Sequence, residues 1–264
     1  MATANDELLV QREPPLAWVI INRPQARNAM TRAVWQGLAE QLPALGSDPA
    51  IRVVIIRGAG DEAFISGADI SEFPAIRADA AMTAQYDQVT AAAWLAIAAL
   101  PQPVIAMING LCFGGGCSVA VACDLRFAAE HARFAVPAAR LGLAYPLEAI
   151  ARLLQVVGPG AAAEILLSAR TLDAGEALGV GLVNQIVARN EIEAWTRDYA
   201  LRMADNAPLT LAAHKLAIHE LLKPAGQQDR AAVRAAMARC FNSADYQEGV
   251  AAFLAKRRPR FAGS

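Results

Sequence analysis

Residues 103–124 read PVIAMINGLCFGGGCSVAVACD, and the rest of the chain is organised around them. The stretch opens on an apolar run of β character, residues 104–108, and meets a turn signal at Asn109-Gly110. Three consecutive glycines, Gly114, Gly115 and Gly116, lead into residues 117–123, small and apolar as a buried helix would be. Strand, glycine turn and helix start together offer backbone N–H groups to a ligand with no Cβ in the way. A helix N-terminus also carries partial positive charge, so it favours an oxygen bearing negative charge. Glycines that only pack a tight strand-to-helix connection would give the same string, and the stretch by itself leaves both readings open.

Working outward, residues 7–10 and 17–21 are short apolar runs on either side of Arg12-Glu13-Pro14-Pro15, the pattern of a β-hairpin. Residues 22–28 are polar and contain a proline, hence a loop. Thr31 is placed to cap a helix carrying Val34, Leu38, Leu42 and Leu45 on one face, which Pro43 is expected to bend or end early. Residues 52–57, RVVIIR, have the composition of a fully buried strand. A glycine-rich loop follows at 58–73 and a long alanine-rich helix at 78–100. Beyond the central stretch come strands at 125–129 and 133–136, a loop from Pro137 to about Leu147, and a helix at 160–168. A capping box at Asp173 and Glu176 starts a short helix ending near Gly179, and a strand spans 182–187. From about Glu191 the pattern is helical only, broken at Pro208 and Pro224. Strands alternating with helices predict an α/β body over residues 1–190, and 191–264 a helical region apolar enough to need a partner surface.

Composition narrows the function classes. With 24 Lys+Arg against 25 Asp+Glu there is no basic excess to recruit nucleic acid, and 55% apolar residues supply ample core. No run of about eighteen apolar residues appears, and MATANDELLV has neither a basic n-region nor an apolar h-region. The expectation is a cytoplasmic protein without membrane contact. Cys112, Cys117, Cys123 and Cys240 form no CxxC pair and are expected as reduced, buried thiols. His131, His214 and His219 lack metal-ligand spacing, so they are taken as surface or packing residues and no metal site is expected.

Four stretches in order, NRPQARNAM at 22–30, AFISGADISEF at 63–73, residues 103–143, and SADYQEGVAAFLAKRRPRF at 243–261, resemble the crotonase superfamily, also called the enoyl-CoA hydratase/isomerase family. The resemblance implies a crotonase spiral of repeated ββα units with a C-terminal helical region used for trimerisation, assembled as a homotrimer or a hexamer. It implies an acyl-CoA substrate and no cofactor beyond the coenzyme A of that substrate. It also implies an oxyanion hole for the thioester oxygen, its donors matching the N–H groups of Ala68 and Gly115. Preorganised donors of this kind stabilise the charge of a thioester enolate, and losing one costs about 3–4 kcal/mol. Arg27, Ser66, Gly67 and Gly114 match the loops that meet coenzyme A and the acyl carbonyl, and Lys256 the tail segment that reaches a neighbour's coenzyme A. Exposed basic residues are common on any surface, which leaves Arg27 and Lys256 open to a purely solvated role.

The chain departs from the family where hydratases carry two glutamates. Those positions match Ser118 and Ala138, neither of which exchanges protons as a carboxylate does. The loop after Leu141-Gly142-Leu143 departs too, reading Ala144-Tyr145-Pro146-Leu147-Glu148. Glu148 is the acid/base candidate of this loop, with a raised pKa expected if it sits in an apolar pocket lined by Tyr145 and Leu147, although a glutamate there also suits a helix N-terminus. Tyr145 is expected to close the acyl pocket or donate a hydrogen bond, and Asp69 and Asp124 to act as caps. The implied function is enolate chemistry by a lyase or isomerase: a double-bond shift, decarboxylation or C–C cleavage. The alternative is a non-catalytic CoA-ester-binding protein.

Overall fold

The computed structural model describes residues 7–264. Strands β1 (Leu8–Glu13) and β2 (Leu16–Ile21) form the expected antiparallel hairpin, with Leu8 opposite Ile21 and Glu13 opposite Leu16. β2 then pairs in parallel with β3 (Val53–Gly58), β3 with β5 (Val104–Ile108), β5 with β7 (Leu125–Ala129), and β7 with β10 (Gln185–Val187). The uninterrupted apolar reading of β2, β3 and β5 follows from burial on both faces. A second sheet runs β4 (Ala63–Ile65), β6 (Leu111–Phe113), β8 (Arg133–Ala135) and β9 (Leu172–Asp173). The turns that carry β3 and β4, β5 and β6, and β7 and β8 each lay one strand in the large sheet, one in the small sheet, and then a helix. This is the expected ββα spiral, a mixed α/β fold.

Helix α1 (Arg32–Gly46) starts where Thr31 accepts a hydrogen bond from the Val34 N–H, and it buries Val34, Trp35, Leu38, Leu42 and Leu45. Pro43 does not end it early. It stands near the C-terminal end, where it forgoes the one bond its N–H would give to the Ala39 carbonyl, and the helix runs on to Gly46. Helix α2 (Phe73–Ile76) is one turn, and α3 (Ala80–Ala99), capped by Asp79, packs on α1. Helix α4 (Gly115–Ala122) grows from the glycine turn. Helix α5 (Leu147–Ser168) is much longer than the segment at 160–168 read from the sequence. Gly158, at φ 76°, and Pro159 kink it, and this punctuation hides the first half from a pattern reading. By length and composition α5 is apolar enough to cross a membrane. It carries Glu148, Arg152 and Glu164, and Arg152 donates from Nε to the Val121 carbonyl of α4 at 3.0 Å.

Helix α6 (Ala174–Gly179) has the full capping box between Asp173 and Glu176. The strand expected at 182–187 shortens to β10, because Leu182 and Val183 give their N–H groups to the Ala177 carbonyl of α6 and not to a neighbouring strand. The remaining helices are α7 (Ile192–Ala204), α8 (Pro208–Leu221), α9 (Arg230–Phe241) and α10 (Ala244–Leu254), with Pro208 opening α8.

Two apolar cores result. One lies between the large sheet, the small sheet and helices α1, α3, α4 and α5. The other lies on the opposite face of the large sheet under α7, where Phe127 meets Trp195 edge-on with ring centroids 4.8 Å apart. Asp124 is a cap, as expected. Its Oδ2 accepts from the Val104 N–H at 2.7 Å and pairs with Lys215 Nζ of α8 at 2.7 Å. Lys215 also donates to the Gln102 carbonyl at 3.0 Å, so α8 is pinned to the body. The cysteines are free thiols. Cys112, Cys117 and Cys123 are buried, whereas Cys240, on the last turn of α9, is only half-buried.

Candidate active site

The small sheet brings the two glycine-bearing loops together. β4 and β6 are parallel neighbours, so residues 66–69 and 114–116 leave the same edge, at the strands' carboxyl ends, where ligands of α/β folds bind. Gly67 has φ +122° and Gly114 φ +48°, conformations that favour glycine. At Gly116 a Cβ would lie 2.4 Å from the Ile65 carbonyl oxygen, so α4 starts in backbone contact with the end of β4. The Ala68 nitrogen lies 3.7 Å from the point a Cβ on Gly115 would occupy.

The backbone accounting around these loops is specific. Met30 donates to the Gly67 carbonyl at 2.8 Å and accepts from the Asp69 N–H at 2.9 Å. The bridge thus uses both neighbours of Ala68 and leaves its N–H unbonded among the described residues. The Gly115 N–H, first in its helix, is likewise without an acceptor. Two unbonded N–H groups on adjoining loops can bind one oxygen.

The loop that bears Arg27 lies alongside. Ser66 donates from its N–H to the Arg27 carbonyl at 3.1 Å, and its hydroxyl lies 3.5 Å from the Ala26 carbonyl oxygen. Arg27 itself is exposed, in the left-handed conformation at φ 51°. Residues the sequence reading passed over hold this arrangement. Asn28, fully buried at φ 56°, donates to the carbonyls of Ala59 and Ala63 and accepts from the Arg23 N–H. Arg23 pairs with Glu7 at 3.0 Å and Asp69 at 2.9 Å. The Ser71 hydroxyl, followed by Arg23, holds the Asp69 carboxyl below its usual range against the opposing effect of burial. Asp69 also caps the turn at Ile70–Glu72, the structural role expected of it. A buried asparagine in a polar loop has no periodic signal. The other missed residue, Trp35, reads as one more apolar residue of α1, yet its ring stands 3.2 Å from the would-be Gly115 Cβ.

Ser118 is buried one turn into α4, and its carbonyl accepts from Trp94 Nε1 at 3.1 Å. Ala138 is half-buried on the turn at Pro137–Leu141 and packs on the main core, as does Tyr145. The Tyr145 hydroxyl donates to the Gly114 carbonyl at 2.8 Å, so the structure brings Tyr145 to the glycine turn. Burial pushes its phenol well above the usual tyrosine value, with the neighbouring Cys117 and Cys112 adding to the rise. Glu148 is exposed on the first turn of α5, beside a Leu147 that is 75% exposed, and not in an apolar pocket. Pro146 is the N-cap residue of α5, and Tyr145 before it is half-buried against the main core. Lys256 is exposed just past the end of α10, in the left-handed conformation.

With this geometry in place, comparison with known proteins is direct. The family model for enoyl-CoA hydratase/isomerase matches residues 12–264. The crotonyl-CoA hydratase of Syntrophomonas wolfei is 33% identical over 258 residues, covering 98% of each chain. The 2,3-dehydroadipyl-CoA hydratase of Escherichia coli is 33% identical over 257 residues, 97% of this chain and 99% of that one. Among solved structures, an enoyl-CoA hydratase/carnithine racemase from Magnetospirillum magneticum is 40% identical with a TM-score of 0.94, covering 98% of this chain and 97% of that one. The chain belongs to the enoyl-CoA hydratase/isomerase family, the acyl-CoA enzymes of the crotonase superfamily.

Proposed function

We propose that this chain binds the carbonyl oxygen of an acyl-CoA thioester at the N–H groups of Ala68 and Gly115 and stabilises its enolate, formed without a carboxylate base. The observation that carries this is the pair of unbonded N–H groups; the positions that match the hydratase glutamates are Ser118 and Ala138, and Tyr145 bonds the glycine turn, none of them a carboxylate. Asp69 is committed to Arg23 and Ser71, and Glu148 is exposed. Loss of CO₂ from a malonyl-type thioester suits such a site. The electrons of the breaking C–C bond pass to the α carbon and carbonyl oxygen, and no proton need be removed first. Arg27, Ser66, Gly67 and Gly114 line the approach of coenzyme A and the acyl carbonyl in this reading. Lys256 serves the coenzyme A of a neighbouring subunit in a homotrimer or hexamer.

Hydration is the rival reading, favoured by the names that the relatives bear. A missing general acid or base costs 10²–10⁴-fold, and Ser118 and Ala138 supply neither. A double-bond shift would need one carboxylate, for which Glu148 would have to approach the acyl chain. The test is turnover on a malonyl-type CoA, a 3-enoyl-CoA and a 2-enoyl-CoA. CO₂ release from the first, with slow hydration of the last, is the expected result. Hydration at least as fast as CO₂ release would overturn it in favour of the rival. Binding of all three without turnover would leave a CoA-ester-binding protein.

A further inference from the structure

We propose that Tyr145 is a positioning residue of the oxyanion hole: its hydroxyl, donating to the Gly114 carbonyl at 2.8 Å, fixes and polarises the peptide whose N–H belongs to Gly115. The inference rests on the reading that the Gly115 N–H binds a thioester oxygen.

The Gly114 carbonyl and the Gly115 N–H are opposite ends of one planar peptide unit, so whatever orients one orients the other. Both of its residues are glycines, and Gly114 sits at φ +48° and ψ −110°, with no side chain to limit rotation. The helix supplies one restraint and the surrounding fold the others. The Gly114 N–H donates to the Ala135 carbonyl at 2.8 Å, and the Gly114 oxygen accepts from the Ser118 N–H at 3.1 Å and from Tyr145 at 2.8 Å. Donors at the oxygen end of an amide draw charge along it and strengthen the N–H as a donor, since linked hydrogen bonds polarise one another.

The second donor is built the same way, which separates the pattern from coincidence. The Ala68 N–H shares its peptide with the Gly67 carbonyl, and that oxygen accepts from the Met30 N–H at 2.8 Å. Each N–H facing the proposed ligand is therefore backed by a hydrogen bond on the carbonyl of its own peptide. For Ala68 the backing group is main chain and survives any side-chain change. For Gly115 one of the two backing groups is a side chain, so it can be removed by mutation. Burial keeps the Tyr145 proton in place, which suits a fixed donor and not an acid that cycles during turnover.

The test reads the thioester carbonyl directly, by isotope-edited infrared spectroscopy of ¹³C-labelled butyryl-CoA bound to the full-length protein. In the parent protein the bound stretch should lie below that of free ligand. In Tyr145→Phe, which keeps the ring, it should return part of the way toward the free value. Affinity for acetoacetyl-CoA, whose enolate places charge on the same oxygen, should fall about tenfold, less than outright loss of a donor. Affinity for butyryl-CoA should change much less. Tyr145→3-fluorotyrosine, a stronger hydrogen-bond donor of nearly the same shape, should shift the stretch the other way; a tyrosine that only packs would leave it in place. This second variant decides the matter if the phenylalanine protein does not fold. Equal stretches in the parent and in either variant would overturn the proposal while leaving the oxyanion hole intact. Failure of the parent to bind butyryl-CoA, or to shift its carbonyl, would instead overturn the reading on which the proposal rests.

Discussion

Gly116→Ala tests how the two donors are held at their spacing. The new Cβ would lie 2.4 Å from the Ile65 oxygen, 3.0 Å from the Ile65 Cβ and 3.2 Å from its carbonyl carbon. All three atoms belong to one residue of β4, two of them to its backbone, so no flexible side chain can give way. Carbon contacts relax near 3.5–4.0 Å, so the start of α4 must withdraw from the end of β4 by about 1 Å. β4 leads into Ala68 and α4 begins with Gly115, so this withdrawal separates the two donors by a similar amount. Overpacking of this kind costs about 1–3 kcal/mol of stability, and a misplacement of about 1 Å costs about 10²-fold in a positioned reaction. Gly160→Ala is the matched control. It lies in α5 with nothing within 4 Å of the new Cβ, and alanine in a helix gains up to about 1 kcal/mol over glycine. Urea denaturation and acetoacetyl-CoA titration of both variants make the assay. If Gly116→Ala matched Gly160→Ala in both stability and affinity, the claim that contact at Ile65 sets the donor spacing would be wrong.

Two further outcomes follow from the body and the tail. Asp124→Asn leaves the buried Lys215 ammonium unpaired and should cost about 3–5 kcal/mol at neutral pH, much of it recovered by adding Lys215→Met; additive losses in urea denaturation would contradict the pairing. Burial works to raise the Asp124 carboxyl, but His219, Lys215 and the Val104 N–H together hold it below its usual value. A carboxyl depressed on folding stabilises above its unfolded pKa, near 4, and that contribution is lost as pH falls through the folded value, so Asp124→Asn should flatten the acid limb of the stability profile. In the tail, Phe241, Phe253 and Leu254 are 68%, 84% and 75% exposed, beside an apolar groove of about 600 Å³. Light scattering should therefore give three or six times the 27.9 kDa chain mass, with Phe253→Asp shifting it down, and a stable monomer at micromolar concentration would refute the expectation.

The middle of the large sheet, β2, β3, β5 and β7, is legible in the sequence because these strands are five or six residues long and mostly buried on both faces, so composition alone marks them. Of the small sheet only β8 is, read as a strand at 133–136. β4 and β6 have three residues each, too few to show a period, and their pairing is with strands far away in the chain. A sequence reading places them in loops, and it is these strands that bring Ala68 and Gly115 together. The glycines are visible as letters, but whether they serve packing or a ligand depends on that long-range pairing. The exposure of Glu148 is hidden from the sequence for a related reason: which way a residue faces at a helix start is set by the fold around it, not by the identity of residue 148. Asn28 shows the converse, a residue with no periodic signature whose amide closes two backbone carbonyls across the loops.

The donors of this site are backbone, and their placement depends on strand pairing and on glycines that admit no Cβ. In the proposed reading, substitution at 118 or 138 can therefore change the proton route without dismantling the hole, so long as Gly67, Gly114 and Gly116 remain. Fold and family then speak to oxygen binding, and only the surrounding side chains speak to the reaction. Here those side chains are a serine, an alanine and a tyrosine whose proton is already given to the Gly114 carbonyl. A hydroxyl so engaged is unavailable to a substrate unless that hydrogen bond breaks, and breaking it loosens the very peptide that presents the Gly115 N–H. Using Tyr145 as the acid would thus weaken oxyanion binding at the moment charge develops. In the proposed decarboxylation, protonation of the enolate therefore falls to solvent entering the site and not to Tyr145, and a solvent isotope effect on turnover that was unchanged in Tyr145→Phe would be its signature.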